Sequence, residues 1–179
     1  MRNVALSGRA GTGKSTLAGL LAQHYEYHTT SIAAPIRTIA TMSYGPFDKT
    51  KSYPMEQLGL STFVSGRELL QNIGASLREM DSYFWMRAWE RALWISGTEP
   101  WVVDDLRLDA EHEYISRLFP DTLFVRLVRP DQRTDQAWQQ DITERGAGDL
   151  PAALVLDTAA LTEVECLQAI VEMARRENA

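Results

Sequence analysis

Residues 8–15, Gly-Arg-Ala-Gly-Thr-Gly-Lys-Ser, constrain this chain more than any other segment. They match G-x-x-x-x-G-K-[ST] in full, a pattern that needs a strand before it and a helix after it. Both are readable. Residues 2–7 are short and apolar in the middle, as a buried strand is, and residues 14–25 carry Leu17, Leu20 and Leu21 at helical spacing. Each residue type has a physical task in such a loop. Gly8, Gly11 and Gly13 let the backbone turn so that successive N–H groups point inward at phosphate oxygens. Lys14 bridges the outer phosphates of a nucleoside triphosphate, and the Ser15 hydroxyl ligates Mg²⁺. Ala10 and Thr12 fill the loop without obstructing it, and Thr16 continues a helix whose positive dipole end faces the anion. The segment therefore predicts a site for ATP and Mg²⁺. The alternative is a glycine-rich turn of no function. With glycine at about 7% of residues, a chance match in a chain this long is on the order of one in a hundred.

The rest of the chain bounds what surrounds that loop. Its 179 residues suit one domain with a full core, and 45% hydrophobic with 23% charged residues is ordinary for a globular protein. A net charge of −6 repels polyanions and argues against a nucleic-acid partner, so any phosphate must be held by a local positive cluster. Of the 18 basic residues three are lysines (Lys14, Lys49 and Lys51), which leaves 15 arginines. Genomic base composition explains that bias, and so does arginine's fork, which suits bidentate phosphate contacts. Cys166 is the single cysteine and reads as a small core residue, which removes any intrachain disulfide. His24, His28 and His112 lack ligand spacing. With no signal-peptide layout and no apolar run near the roughly 20 residues that span a bilayer, the expectation is a cytoplasmic protein with no membrane partner.

Apolar periodicity sets out the remaining elements. A strand is expected near 28–32 and a helix from about Pro35 to Met42, with proline in its first turn. Residues 43–65, rich in Gly, Pro, Ser, Tyr and Lys, read as an excursion rather than sheet. Helices follow at 66–78, with Leu69, Leu70, Ile73 and Leu77 on one side, and at 82–95, with Trp85, Trp89, Ala92 and Leu93 in a stripe. The latter helix serves equally as core or as the interface of a homodimer. Tryptophans 85, 89, 94, 101 and 138 mostly fall at core-like positions. Strands at PWVVDD, 122–128 and 153–157 alternate with helices at 109–118 and about 162–176. This order predicts an α/β fold with a five-stranded parallel sheet and helices on both faces. One domain over 1–179 is expected, with an acceptor-binding helical region at about 43–98 and a polar lid at about 129–150.

On the helix at 66–78, Arg67, Gln71 and Arg78 lie four and seven residues apart, so a polar stripe opposes the leucine stripe. Two arginines and an amide on one face suit a phosphate and a base edge; a solvated helix face is the alternative. Trp85 either packs in the core or stacks on a base. Asp104 and Asp105 end a strand, where an acid beside the phosphate loop holds Mg²⁺ through water. Strand alternation puts them on opposite faces, so at most one faces the metal. A capping acid before the next helix is the other reading. Arg107 follows within reach of a phosphate.

GRAGTGKST, AAPIR at 33–37, R-E-L-L-Q-x-x-G and VVDDLRLDAEHEYI at 102–115 together resemble the phage-type deoxynucleoside monophosphate kinases, over the first two thirds of the chain and in order. The resemblance implies a P-loop kinase fold and an acceptor pocket to which Arg67, Gln71 and Gly74 contribute. It also implies a positive charge, Arg37, near the acceptor phosphate. It favours Asp105 over Asp104 for the metal, because Asp105 aligns with the family's strand-terminal D-x-R. It further implies a phage source, hence host cytoplasm, and deoxynucleotide metabolism. The chain departs from the family at Asp141-Ile142-Thr143-Glu144-Arg145, which lacks the family's histidine and S-E pair, and at Asp157, where an asparagine is common.

The expected reaction is ATP- and Mg²⁺-dependent phosphorylation of a small nucleotide acceptor. The attacking phosphate oxygen is already anionic, so no general base is needed and catalysis rests on positioning and electrostatics. Lys14, Arg37, Asp105 and Arg107 are the expected catalytic groups, with Arg129 and Arg133 closing from the lid. Surface charge alone explains arginines in such a loop equally well. Two other functions fit the same loop: a kinase of another small molecule or of a modified base in DNA, and a non-enzymatic nucleotide-dependent switch.

Overall fold

The computed structural model describes residues 1–57, 60–97, 100–130 and 149–176. They form two compact units. One comprises Met1–Ser31 and the described residues from Leu93 on; the other is Ile32–Ala92.

The first unit is built on a five-stranded sheet. Strand β1 (Val4–Ser7) is buried along its whole length and leads through the glycine-rich loop into α1 (Lys14–Tyr25). Strand β2 is His28–Thr30; β5 is Trp101–Leu106, β6 is Leu123–Val128 and β7 is Leu154–Asp157. The sheet order is β2-β5-β1-β6-β7, and every neighbouring pair is parallel. Sequential strands therefore lie on both sides of β1, as in a doubly wound sheet. Val4, Leu6, Val102, Leu123, Val125 and Leu127 share one core with Leu17 and Leu21 of α1 and with Cys166 and Ile170 of the C-terminal helix, α6 (Glu163–Arg175). On the opposite face His112 of α5 (Asp109–Leu118) lies against Phe124, with ring centroids 4.1 Å apart. Helices thus cover both faces, as the βα alternation predicted.

The caps are sequence-local. At α6 the Thr162 hydroxyl accepts from the Glu165 N–H while the Glu165 carboxylate accepts from the Thr162 N–H at 2.8 Å, a reciprocal cap. At α5 the N-cap is Leu108, whose side chain holds no polar atom. Glu111 takes over: its carboxylate accepts from the N–H groups of Arg107 (2.9 Å) and Leu108 (3.1 Å).

The second unit holds α2 (Ala34–Tyr44), α3 (Gly66–Met80) and most of α4 (Phe84–Ser96). It also holds a feature that the sequence pattern hid. Residues 43–65, expected to lie outside any sheet, contain an antiparallel ribbon of β3 (Ser52–Gln57) and β4 (Leu60–Ser65). Pro54 breaks the strand signal because proline cannot donate to a ladder, and a two-stranded ribbon has edges enough to accept it. The ribbon is separate from the parallel sheet. Tyr53 anchors it, its ring stacked on Phe47 at 4.8 Å and edge-on to Tyr44. The Ser65 hydroxyl then caps α3 by accepting from the Glu68 N–H.

On α4 the buried residues are Trp85, Met86, Trp89 and Leu93, whereas Ala92 is exposed. The buried face is thus turned toward Met86 and away from Ala92. Trp94, outside the expected stripe, is 71% exposed, on the opposite side of α4 from Trp89. Among the described residues no helix is long and apolar enough to cross a membrane.

Candidate active site

The loop after β1 has the backbone its glycines predict. Gly8, Gly11 and Gly13 hold φ of 133°, 82° and 89°. At Gly8 no side chain fits: a Cβ would lie 2.3 Å from the Leu127 carbonyl oxygen of β6, so the loop is pressed onto the neighbouring strand. Thr12 is buried and its hydroxyl donates to the Arg9 carbonyl at 2.9 Å, closing the turn. Lys14, the first residue of α1, is also buried. Its ammonium donates to the carbonyls of Gly8 (2.6 Å) and Arg9 (2.8 Å), which holds the charge inside the loop's curve. Ser15 and Thr16 are exposed on the first turn, where N–H groups lack intrahelical acceptors.

Strand β5 delivers the two acids to the sheet's C-terminal edge, where ligands of open α/β sheets bind. They diverge where the register of β5 against β1 shifts, between Val103 and Leu106. Val102 belongs to the core shared with α1, and Asp104 accepts a 2.6 Å hydrogen bond from the Ser15 hydroxyl. Asp105 points the other way and accepts from the Ser31 hydroxyl at 2.7 Å, just past β2. The resemblance favoured Asp105 for the metal; Asp104 is the acid beside Ser15. A hydroxyl and a carboxylate oxygen are the hard donors that Mg²⁺ prefers, and it completes its shell with phosphate oxygens and water. The pair fits that ion. Arg107 emerges one strand step beyond Leu106, with its backbone held by Glu111.

Arg129, one residue past β6, stands beside the loop. It lines a cavity of about 80 Å³ together with Thr12, Gly13, Thr16, Thr158 and Leu161. It also lines one of about 220 Å³ with Arg9, Thr12, Leu127 and Asp149. Arg9, Thr158 and Leu161 are additions to the expected site. Arg9 lay in a variable position of the motif, and Thr158 and Leu161 sit in a turn whose nearness to Gly13 depends on β7 and β1 sharing one sheet. Cys166 lines the smaller cavity too, but it is 1% exposed and burial pushes its thiol up from the ordinary range. Arg133 and most of the expected lid lie outside the described residues, as do Asp141–Arg145.

The expected acceptor residues all belong to the second unit. Arg37 is exposed in the first turn of α2, and Arg67, Gln71 and Arg78 are half-buried along α3. Gly74 is buried, and a Cβ there would meet the Arg78 guanidinium at 3.2 Å and Ile36 at 3.3 Å. The glycine thus lets Arg78 fold back along its own helix. Trp85 is 3% exposed, and its indole N–H donates to the Gly74 carbonyl at 2.9 Å. Its ring packs inside the second unit and steadies the glycine turn of α3.

No protein-family model matches the chain, and no curated protein matches it. Among solved structures it is similar to a candidate kinase from Chloroflexus aurantiacus, with 16% identity, a TM-score of 0.55 and coverage of 96% of this chain and 94% of that one. A sugar kinase from Janibacter sp. matches with 17% identity, a TM-score of 0.51 and coverage of 97% and 94%. A gluconokinase from Sinorhizobium meliloti matches with 16% identity, a TM-score of 0.50 and coverage of 97% and 93%. At such identities the likeness is one of architecture. The parallel five-stranded sheet with helices on both faces and a glycine-rich loop after its central strand is the P-loop kinase fold.

Proposed function

We propose that this protein transfers the γ-phosphoryl group of ATP to a nucleoside or deoxynucleoside monophosphate, giving the diphosphate. The observation that carries the phosphoryl-transfer half is the Lys14 ammonium curled inside a loop of positive-φ glycines, with Ser15 bonded to Asp104 at its rim. Lys14 and the first-turn N–H groups of α1 hold the outer phosphates of the donor. Ser15 and Asp104 hold Mg²⁺, which when bound neutralises charge on the phosphates. Arg129 lines a cavity beside Thr12 and Gly13, which supports a role in offsetting charge on the transferring group.

The acceptor half rests on the α3 stripe and the family resemblance. Arg37 and Arg67 grip the acceptor's phosphate, and Gln71 reads a base edge. Arg78, lying over Gly74, and Trp85, bonded to the Gly74 carbonyl, position that helix. The acceptor phosphate oxygen is an anion before it attacks, so the residues need only align it and screen its charge.

ATP consumption with Mg²⁺ against a panel of ribo- and deoxynucleoside monophosphates tests the reading. Turnover of one or a few members is expected. An Arg67→Ala variant should then lose turnover while ATP binding persists, and an unchanged acceptor KM would remove the clamp. A silent panel with ATP still bound would discard the monophosphate acceptor. Hydroxyl acceptors such as sugars, which two of the similar structures' names point to, would then be next on the panel.

A further inference from the structure

The ribbon of β3 and β4 stands apart from the parallel sheet, and the turn that leads into β3 is built onto the start of α3. The Gly66 N–H donates to the Lys51 carbonyl at 2.7 Å, and the Arg67 N–H donates to the Lys49 carbonyl at 3.1 Å. Gly66 is buried, and a Cβ there would lie 2.5 Å from the Asp48 carbonyl oxygen and 2.8 Å from the Lys49 Cα. The turn is thus pressed against the helix. Tyr53 holds that turn in shape. Its hydroxyl oxygen accepts from the Asp48 N–H at 2.6 Å, and its proton goes to the Asp48 carbonyl at 3.2 Å. The same carbonyl accepts from the Lys51 N–H at 3.1 Å, and the Asp48 carboxylate accepts from the Thr50 N–H and hydroxyl. We propose that Tyr53 is a positioning residue for Arg67: its hydroxyl fixes residues 48–51, whose carbonyls fix the backbone from which the guanidinium extends. This assignment rests on the acceptor reading above, in which Arg67 grips the acceptor's phosphate.

The physical case starts from the first N–H groups of a helix, which have no intrahelical acceptor. In α3 those of Gly66, Arg67 and Glu68 are taken by the Lys51 carbonyl, the Lys49 carbonyl and the Ser65 hydroxyl. The amino end of α3 is therefore closed to a phosphate, and a grip on one from this end comes from the Arg67 side chain. A long side chain aims its charge well only from a rigid backbone, because a misplacement of about 1 Å is enough to forfeit most of what positioning contributes. The Tyr53 ring is 8% exposed, stacked on Phe47 and edge-on to Tyr44, so its hydroxyl has a fixed origin. Deleting the hydroxyl alone leaves that ring packing in place and takes a partner from both the N–H and the carbonyl of Asp48.

The test compares the full chain with Tyr53→Phe, Arg67→Ala and the double variant, using a monophosphate that the panel shows to be turned over. Tyr53→Phe should raise the acceptor KM and the calorimetric acceptor Kd by about 3- to 10-fold, the effect of one net hydrogen bond, and leave ATP affinity and kcat within about twofold. A role in folding alone would lower the unfolding midpoint and leave KM as it was. In the Arg67→Ala background the same deletion should add no further loss of acceptor affinity, because residues that act through one another are non-additive. Equal losses in the two backgrounds would overturn the assignment, and so would an unchanged acceptor KM in Tyr53→Phe. Amide hydrogen exchange needs no acceptor. The Gly66 and Arg67 amides should exchange faster in Tyr53→Phe, with those of α1 unchanged, and equal exchange in the two proteins would overturn the link by itself. A panel without any turned-over monophosphate would remove the acceptor role of Arg67, and exchange would still decide whether Tyr53 holds the start of α3.

Discussion

Ser15 on the first turn of α1 donates a 2.6 Å hydrogen bond to Asp104 at the end of β5, joining the phosphate loop to a strand 89 residues further along the chain. The bond ties two hard oxygen donors together at the rim of the loop. Asp104→Asn removes the charge and keeps the shape. It should raise the Mg²⁺ concentration needed for half-maximal ATP consumption and lower kcat by about 10²–10³-fold, the range for losing one electrostatic group. A Mg²⁺ titration of wild type and variant checks it. Superimposable titrations would detach Asp104 from the metal.

Gly8 meets Leu127 so closely that stability and binding should fail together. In Gly8→Ala the new Cβ must be relieved from 2.3 Å against a backbone oxygen, at a φ of 133° that side chains rarely adopt. A loss of at least about 1–3 kcal/mol is expected, the range for strain at a special backbone position. Urea unfolding of the two proteins measures it, and an unchanged midpoint would show that the loop leaves β6 at little cost.

Trp85 offers a cleaner separation of fold from function. Trp85→Phe keeps an aromatic ring and deletes the donor to the Gly74 carbonyl, so it should cost about 1–2 kcal/mol. The acceptor KM should move only modestly. A large KM effect at unchanged stability would instead make the indole a stacking partner for the acceptor base.

Cys166 should resist thiol reagents. It is 1% exposed, and burial first, then the nearby Glu165, Asp157 and Glu163 carboxylates, hold its pKa above the ordinary thiol value. Little thiolate forms near neutral pH, so alkylation by iodoacetamide should be slow in the native protein and fast in urea. Rapid native labelling would mean that α6 opens readily from the sheet.

The α6 cap gives a pH signature. Bonds from the Thr162 N–H and hydroxyl lower the Glu165 pKa below its ordinary value of 4.5. A depressed folded-state pKa contributes stability that is present above the unfolded value and is lost as pH falls through the folded one. Thr162→Ala should therefore flatten part of the stability decline below about pH 4.5, and unfolding midpoints across the acidic range report it. Parallel profiles for the two proteins would remove the cap from the pH dependence.

What the sequence disclosed and what it hid follow one physical division. Local signals were legible: α1 at 14–25 follows the Gly-Lys-Ser motif and its leucine spacing, and α5 at 109–118 falls where its amphipathic pattern put it. Strand alternation also foretold that Asp104 and Asp105 would part. Which of them meets Ser15 was not legible, since that depends on which face of β5 α1 covers. The β3–β4 ribbon escaped for a similar reason. Its pairing of Tyr53 with Val64 is a contact between segments, and Pro54 erased the strand signal that either segment carried alone. Arg129 was named from charge in a polar stretch, but its place beside Thr12 and Gly13 comes from β6 and β1 lying side by side.

The central position of β1 also governs the order of assembly. Its neighbours are written far downstream, with Val4 opposite Val102 on one flank and Leu123 on the other. Closing such long chain segments is entropically costly and slows folding. Translation runs from N- to C-terminus, so the loop at residues 8–15 is made before β5 and β6 and must wait for both flanks of its strand. The most recognisable part of the sequence is thus among the last parts of the structure to be completed, and a nascent chain stalled before β6 carries the motif without the site.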